Sequence, residues 1–264
     1  MIEGQEDVSW EQWVALARAC EESGIETLFR SDHYLSVQGE HGRASLDAWA
    51  TVNALAAITS RLRLGTLVSP ATFRHPSVLA KMVVTADHVS GGRVELGMGA
   101  GWLDAEHRAY GFPFAPMRTR MDVLAEQLEI VHRSWKRGPF SFRGEHYEIE
   151  DLDALPKPIQ QPHPPLLLGG SGGRRSIALA ARWADEYNMP FASPARCREV
   201  QEALAEACAQ EGRDPLPLSV MIRLDSSAEQ KLGEYESAGV ERVMLQHLEH
   251  TDVGKVARVG RELV

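Results

Sequence analysis

The stretch Pro164–Tyr187, PPLLLGGSGGRRSIALAARWADEY, decides the fold. A fully apolar run stops at a glycine turn. An amphipathic helix over 174–184 follows, and then a short strand, Asp185–Met189. A strand, a crossing helix and a second strand with no tight-turn signal between them read as one parallel unit. Working outward, the pattern repeats. Seven strands are predicted to end near His33, Ser69, Gly101, Gly170, Met189, Leu224 and Leu248. Helical spacing separates most of them. Ser9 caps a run with Trp10, Trp13, Val14, Ala17 and Cys20 on one face, stopped by Gly24. Further helices are expected over about 46–60, from Pro76 to Gly91, around Met121–Trp135, over 194–211 and 226–238, and at the end of the chain. Residues 102–116 read as irregular, and 138–163 as a loop with a small hairpin. The class is α/β. A TIM-type (β/α)8 barrel needs one more strand, and only Met1–Ile2 could be its remnant. An open doubly wound sheet is the rival arrangement.

The chain has 264 residues, 44% hydrophobic and 25% charged, which excludes a disordered or fibrous protein. No linker or repeat divides it, so one domain over 1–264 is expected. Its 28 basic and 37 acidic residues give a net charge of −9. Without a Lys/Arg block this excludes nucleic acid and anionic membranes as main partners. No apolar run approaches the ~18 residues of a membrane span. The N-terminus lacks the pattern of a signal peptide. Cys20, Cys197 and Cys208 are far apart and read as free thiols in a reducing, cytoplasmic setting. No histidine has metal-ligand spacing, so no metal site is expected.

Chemistry in a parallel βα fold collects where strands end. Ser31-Asp32-His33-Tyr34 offers either acid–base groups or an ordinary polar strand terminus. Val68-Ser69-Pro70 is a loop or a bulge pressed against a flat ring. Gly97–Trp102 carries alternate glycines, which allow close approach to a ligand. Gly169–Arg175 combines glycines, a hydroxyl and two arginines ahead of a helix, and reads as an anion site. His247 at the last strand end could line a pocket.

The segments SDHY (31–34), GTLVSPATFRHP (65–76), SGGRVELGMGAGW (90–102), AYGFPF (109–114), LPKPIQQPHPPLLLGGSGG (155–173) and AARWADEYN (180–188) together resemble the luciferase-like monooxygenase superfamily. They are most similar to its branch of deazaflavin (coenzyme F420)-dependent oxidoreductases. The resemblance implies a bacterial-luciferase-like barrel with the cofactor at its C-terminal mouth. It puts Asp32 and His33 at the reactive ring as catalytic groups. Val68, Ser69 and Pro70 would back the ring, at a point where relatives often have a non-prolyl cis peptide. Gly99 and Gly101 would flank the cofactor's side chain. Gly169, Gly170, Ser171 and Gly172, with Arg174, would hold its phosphate. Tyr34, Trp102 and His247 would face a small organic substrate. Trp102 stands where sugar-phosphate dehydrogenase members carry a carboxylate, so a sugar phosphate is not expected. The family implies a homodimer, and a flavin or F420 reductase as a possible partner. Two departures stand out. The first strand is largely missing, which leaves an open seam, and little sequence follows the strand at 218–224. FMN-dependent monooxygenation with a separate reductase is the alternative activity. A non-catalytic, shortened barrel that binds flavin or a partner subunit is the alternative of another class.

Overall fold

In the computed structural model, which describes residues 1–39, 42–225 and 228–263, Ser9 starts the first helix as expected. Its hydroxyl accepts from the Gln12 backbone N–H, and Gln12 returns the bond to the Ser9 N–H, a reciprocal capping box. The elements run in this order: α1 (Trp10–Ser23), β1 (Thr27–Arg30), α2 (Ala48–Ile58), β2 (Arg63–Thr66), β3 (Ser69–Pro70), α3 (Pro76–Ser90), β4 (Val94–Gly99), α4 (Asp104–Tyr110), α5 (Met117–Trp135), β5 (Phe140–Arg143), β6 (Glu148–Leu152), β7 (Leu166–Gly169), α6 (Arg174–Trp183), β8 (Glu186–Pro190), α7 (Pro194–Gln210), β9 (Leu218–Arg223), α8 (Ala228–Glu236), β10 (Arg242–Gln246) and α9 (Val253–Leu263). All seven expected strands form. Residues 226 and 227, where α8 was expected to begin, lie outside the described residues. Inside 102–116, read as irregular, the chain makes the helix α4. It is short and has no side-chain cap, so no sequence signal marks it.

The sheet order is β1-β2-β4-β7-β8-β9-β10, parallel throughout, with β3 added beside β4 and β5–β6 as a separate hairpin. This is a curled parallel barrel sheet with its first strand reduced to one residue. The expected open seam is corrected here, because Ile2 bridges to both edges in parallel. Its N–H donates to Phe29 O at 2.9 Å, and its carbonyl accepts from Ser31 N at 3.1 Å. On the other side His247 N donates to Met1 O at 2.9 Å. Ile2 itself is 2% exposed and joins the main core. Met1 and Ile2 thus pair with four of the polar edge groups that a missing strand would bare: Phe29 O, Ser31 N, Leu245 O and His247 N.

Strand alternation sorts every side chain. Phe29, Leu67, Leu167, Met221 and Met244 form a small inner cluster. Leu28, Leu64, Leu96, Leu166, Leu168 and Val220 belong to the larger layer beneath the helices. At the N-terminal end of the barrel, buried Glu95 binds Arg63 Nε (2.7 Å) and Arg242 (2.7 Å), and Glu186 also reaches Arg242 (3.3 Å). Charge closes the floor, and the opposite mouth stays open. The three cysteines are free and buried.

Candidate functional site

The barrel's C-terminal mouth opens into a cavity of about 1210 Å³, lined from every parallel strand of the sheet. Its back wall forms where β2 ends. The Leu67–Val68 peptide is cis and non-prolyl, at the position the family resemblance indicated. The Val68 side chain fills space that three glycines leave free. A Cβ on Gly97 would come within 2.9 Å of Val68 Cγ1, one on Gly99 within 2.8 Å of Cγ2, and one on Gly169 within 3.0 Å of Cγ1. Gly99 and Gly169 therefore serve the valine, and through it the shape of the wall, whereas Gly97 is required first by the Thr66 backbone carbonyl. Gly101 has φ +76°, and a Cβ there would meet Thr72 Oγ1 at 2.7 Å.

At one end of the cavity lie Gly169, Gly170, Ser171, Gly173, Arg174 and Arg175. Gly173 caps α6 without a side-chain bond, and the first intrahelical bond runs from Ile177 N to Gly173 O. Among the described residues the N–H groups of 174–176 find no acceptor, and the Arg174 side chain has no partner. Arg175 is engaged by Asp122 and by the Arg118 carbonyl. Gly172 does not line the cavity. It braces the turn, donating to the Tyr187 hydroxyl at 3.0 Å and accepting from Arg196 at 3.0 Å. Open amides at a helix start beside a free guanidinium can hold an anion.

At the other end is His33. Its Nδ1 lies 2.8 Å from Glu106 Oε2, and Nε2 makes no bond among the described residues. Trp102, 59% exposed, packs edge-on against the imidazole at 5.7 Å. Glu106 is fully buried and also accepts from the Tyr34 and Leu35 backbone N–H groups. Sequence reading missed Glu106. The one available signal was a pair of acids, Asp104 and Glu106, in DAEHRAY, and nothing in the sequence links Glu106 to a residue 73 positions away.

Other expected site residues sit elsewhere. Asp32 follows the outward parity, is 1% exposed and does not line the cavity. It forms a two-pronged pair with Arg74 (2.5 and 3.1 Å) and accepts from Ser69 Oγ at 2.7 Å. Burial opposes the charge on Arg74, but Asp32, Tyr34 and Asp47 together hold its pKa above the usual value. Ser69 is likewise buried and accepts from Trp49 Nε1 at 3.0 Å. Tyr34 stacks on Tyr110 at 4.9 Å and binds Asp47 through its hydroxyl (3.0 Å), so it supports the loop after β1 from behind. Burial first, and then neighbouring carboxylates, push its phenol upward. His247 points outward too. Its Nδ1 is buried without a partner, its Nε2 is 3.2 Å from Asp252 O, and burial lowers its pKa. The cavity gains Glu3 and Gln246, joined at 2.6 Å, which sequence reading did not single out.

The family model described as luciferase-like monooxygenase matches residues 2–242. An uncharacterised protein of Mycobacterium bovis is 33% identical over 245 residues, covering 87% of this chain and 85% of that protein. An F420-dependent glucose-6-phosphate dehydrogenase of Amycolatopsis mediterranei is 33% identical over 66% of this chain and 51% of its own length. An FMNH2-dependent dimethylsulfone monooxygenase of Pseudomonas putida is 30% identical over 65% of this chain and 46% of its own. Among solved structures, an F420-dependent secondary alcohol dehydrogenase aligns with TM-score 0.86 at 17% identity, covering 98% and 96% of the two chains. That likeness concerns the fold.

Proposed function

The chain belongs to the luciferase-like monooxygenase family, and on that premise we propose that it is a coenzyme F420-dependent oxidoreductase acting on a small organic substrate. One observation carries the reading. A single cavity has an anion cradle at one end, an unencumbered histidine nitrogen at the other, and a flat apolar wall between them. The residues present fit a planar ring with a phosphate-bearing arm. The free amides of 174–176 and Arg174 suit the phosphate, and Val68 with Pro70 suits the ring face. When bound, such a deazaflavin accepts or gives a hydride at its central ring carbon. The chain supplies the rest. Arg174 and the helix start fix the anionic arm. His33 Nε2 takes or gives a proton at the substrate oxygen. Trp102, Val37 and Leu248 make an apolar vestibule that limits water near that nitrogen.

Asp32 enters this reading as a positioning residue, since it pins Arg74 and Ser69 beneath the wall. A homodimer, a cytoplasmic location and, for the FMN reading, a reductase partner accompany the proposal. Among the described residues no helix is long and apolar enough to cross a membrane. The likeness to the FMNH2-dependent monooxygenase favours FMN as the second reading.

Titration of the purified protein with F420 and, separately, with FMN tests this by absorbance and fluorescence. Saturable binding of F420 supports the proposal. Saturable binding of FMN with none of F420 transfers support to the second reading. Binding of neither returns the chain to the non-catalytic alternative.

A further inference from the structure

Glu106 has no part in the cavity wall, yet it is 0% exposed and spends both oxygens on the segment that carries His33. We propose that Glu106 is a positioning residue that fixes the tautomer of His33, so that the proton resides on Nδ1 and Nε2 meets the cavity as a bare acceptor. That His33 exchanges a proton with substrate rests on the function proposed above. The tautomer assignment does not.

The argument is one of donors and acceptors. Glu106 Oε1 receives two backbone N–H groups, from Tyr34 and from Leu35 (3.1 Å). Neither donor can turn away, because both belong to the backbone leaving β1. That oxygen is therefore held as an acceptor. The other oxygen, Oε2, is 2.8 Å from His33 Nδ1. One proton must lie between them. The two backbone N–H groups on Oε1 favour the carboxylate form of Glu106, so the shared proton sits on nitrogen. Glu106 also occupies the first turn of α4, where the helix end favours a carboxylate. Trp102 packs edge-on against the imidazole and limits its swing. The neutral ring then presents a lone pair at Nε2. It can take the proton of a substrate hydroxyl as that carbon is oxidised, and return it in the reverse direction.

An isosteric change reverses the pattern. In Glu106→Gln the two backbone N–H groups hold the amide oxygen. The amide NH2 must then face His33 Nδ1, which can only accept. The proton moves to Nε2, and the cavity meets a donor instead of an acceptor.

Nitrogen-15 NMR of the imidazole reads this without cofactor or substrate, at a pH where His33 is neutral. The expected result is Nδ1–H in the native protein and Nε2–H in E106Q. A native protein carrying Nε2–H overturns the proposal, as does an E106Q variant that folds and keeps the native tautomer. The native spectrum alone decides if the variant does not fold. Under the proposed activity, E106Q loses at least tenfold in kcat while the Kd for F420 and the substrate KM stay within about twofold of native. Unchanged kcat together with the switched tautomer removes His33 from the chemistry and leaves the positioning role standing.

Discussion

Arg174 and Gly170 show how differently two neighbours report on one cradle. An acidic side chain at Gly170 would seem to probe a phosphate site. A Cβ there collides with the Tyr187 hydroxyl and lies 3.1 Å from Ser176 Oγ, so any substitution disturbs packing as well. Arg174 has no partner to lose. R174E is expected to weaken F420 binding at least tenfold, about 1.4 kcal/mol, with thermal stability nearly unchanged, as for exposed substitutions generally. Equal affinity in native and variant removes Arg174 from the phosphate assignment. His33→Ala should lower kcat far more than it raises the cofactor Kd, checked by stopped-flow hydride transfer beside equilibrium titration. Val68 offers a packing test. Gly99→Ala alone should cost about 1–3 kcal/mol, the usual range for overpacking, because its methyl meets Val68 Cγ2 at 2.8 Å. The double variant with Val68→Ala should recover part of that loss in a denaturation cycle. Simple additivity would show that the contact is not what constrains Gly99.

The elements that the sequence states most plainly are those with an apolar period. All seven strands and the capped α1 are legible for that reason. Helix α4 is not, since its seven residues owe their place to the buried Glu106 and to His107, whose Nε2 lies 2.7 Å from Thr72 Oγ1. Parity is the signal that was present and unused. Counting from inward Phe29, the cavity receives Ser31 and His33 and cannot receive Asp32. Counting from inward Met244, it receives Gln246 and not His247. Helix α5 carries a pH response of its own. His132 is 8% exposed, its Nε2 is 2.7 Å from Trp183 O, and burial and then nearby His163 hold its pKa at about 4 against an ordinary 6.5. Above pH 6.5 neither folded nor unfolded chain protonates this ring. As the pH falls from 6.5 to 4, the unfolded chain takes up a proton that the folded one refuses. Stability drops over that window, by on the order of 3 kcal/mol. His132→Gln, which can still donate to Trp183 O, should flatten this part of the curve. Urea midpoints at pH 7 and 4.5 in both proteins check it, and an equal decline in both refutes it.

At the scale of the molecule, the barrel holds together across a seam two residues wide. The class and the missing strand were both readable in the sequence. The closure was not, because a single bridging residue has no periodicity to read. Ile2→Ala should cost about 2–5 kcal/mol, as for other buried Ile→Ala changes. It should also speed amide exchange at Ser31 and His247 ahead of the amides in β4. Uniform acceleration over the whole sheet would instead mean that the seam opens only with global unfolding.

The valine wedged among Gly97, Gly99 and Gly169 has an evolutionary consequence as well. While Val68 is present, a β-carbon at Gly99 or Gly169 crowds it, and Gly97 stays closed in any case by the Thr66 backbone carbonyl. Should a lineage shorten Val68, Gly99 and Gly169 become freer to drift, and each new β-carbon then hinders the valine's return. The wall of this cavity is a ratchet. Descendants that pass it keep the fold and lose the way back to this particular wall.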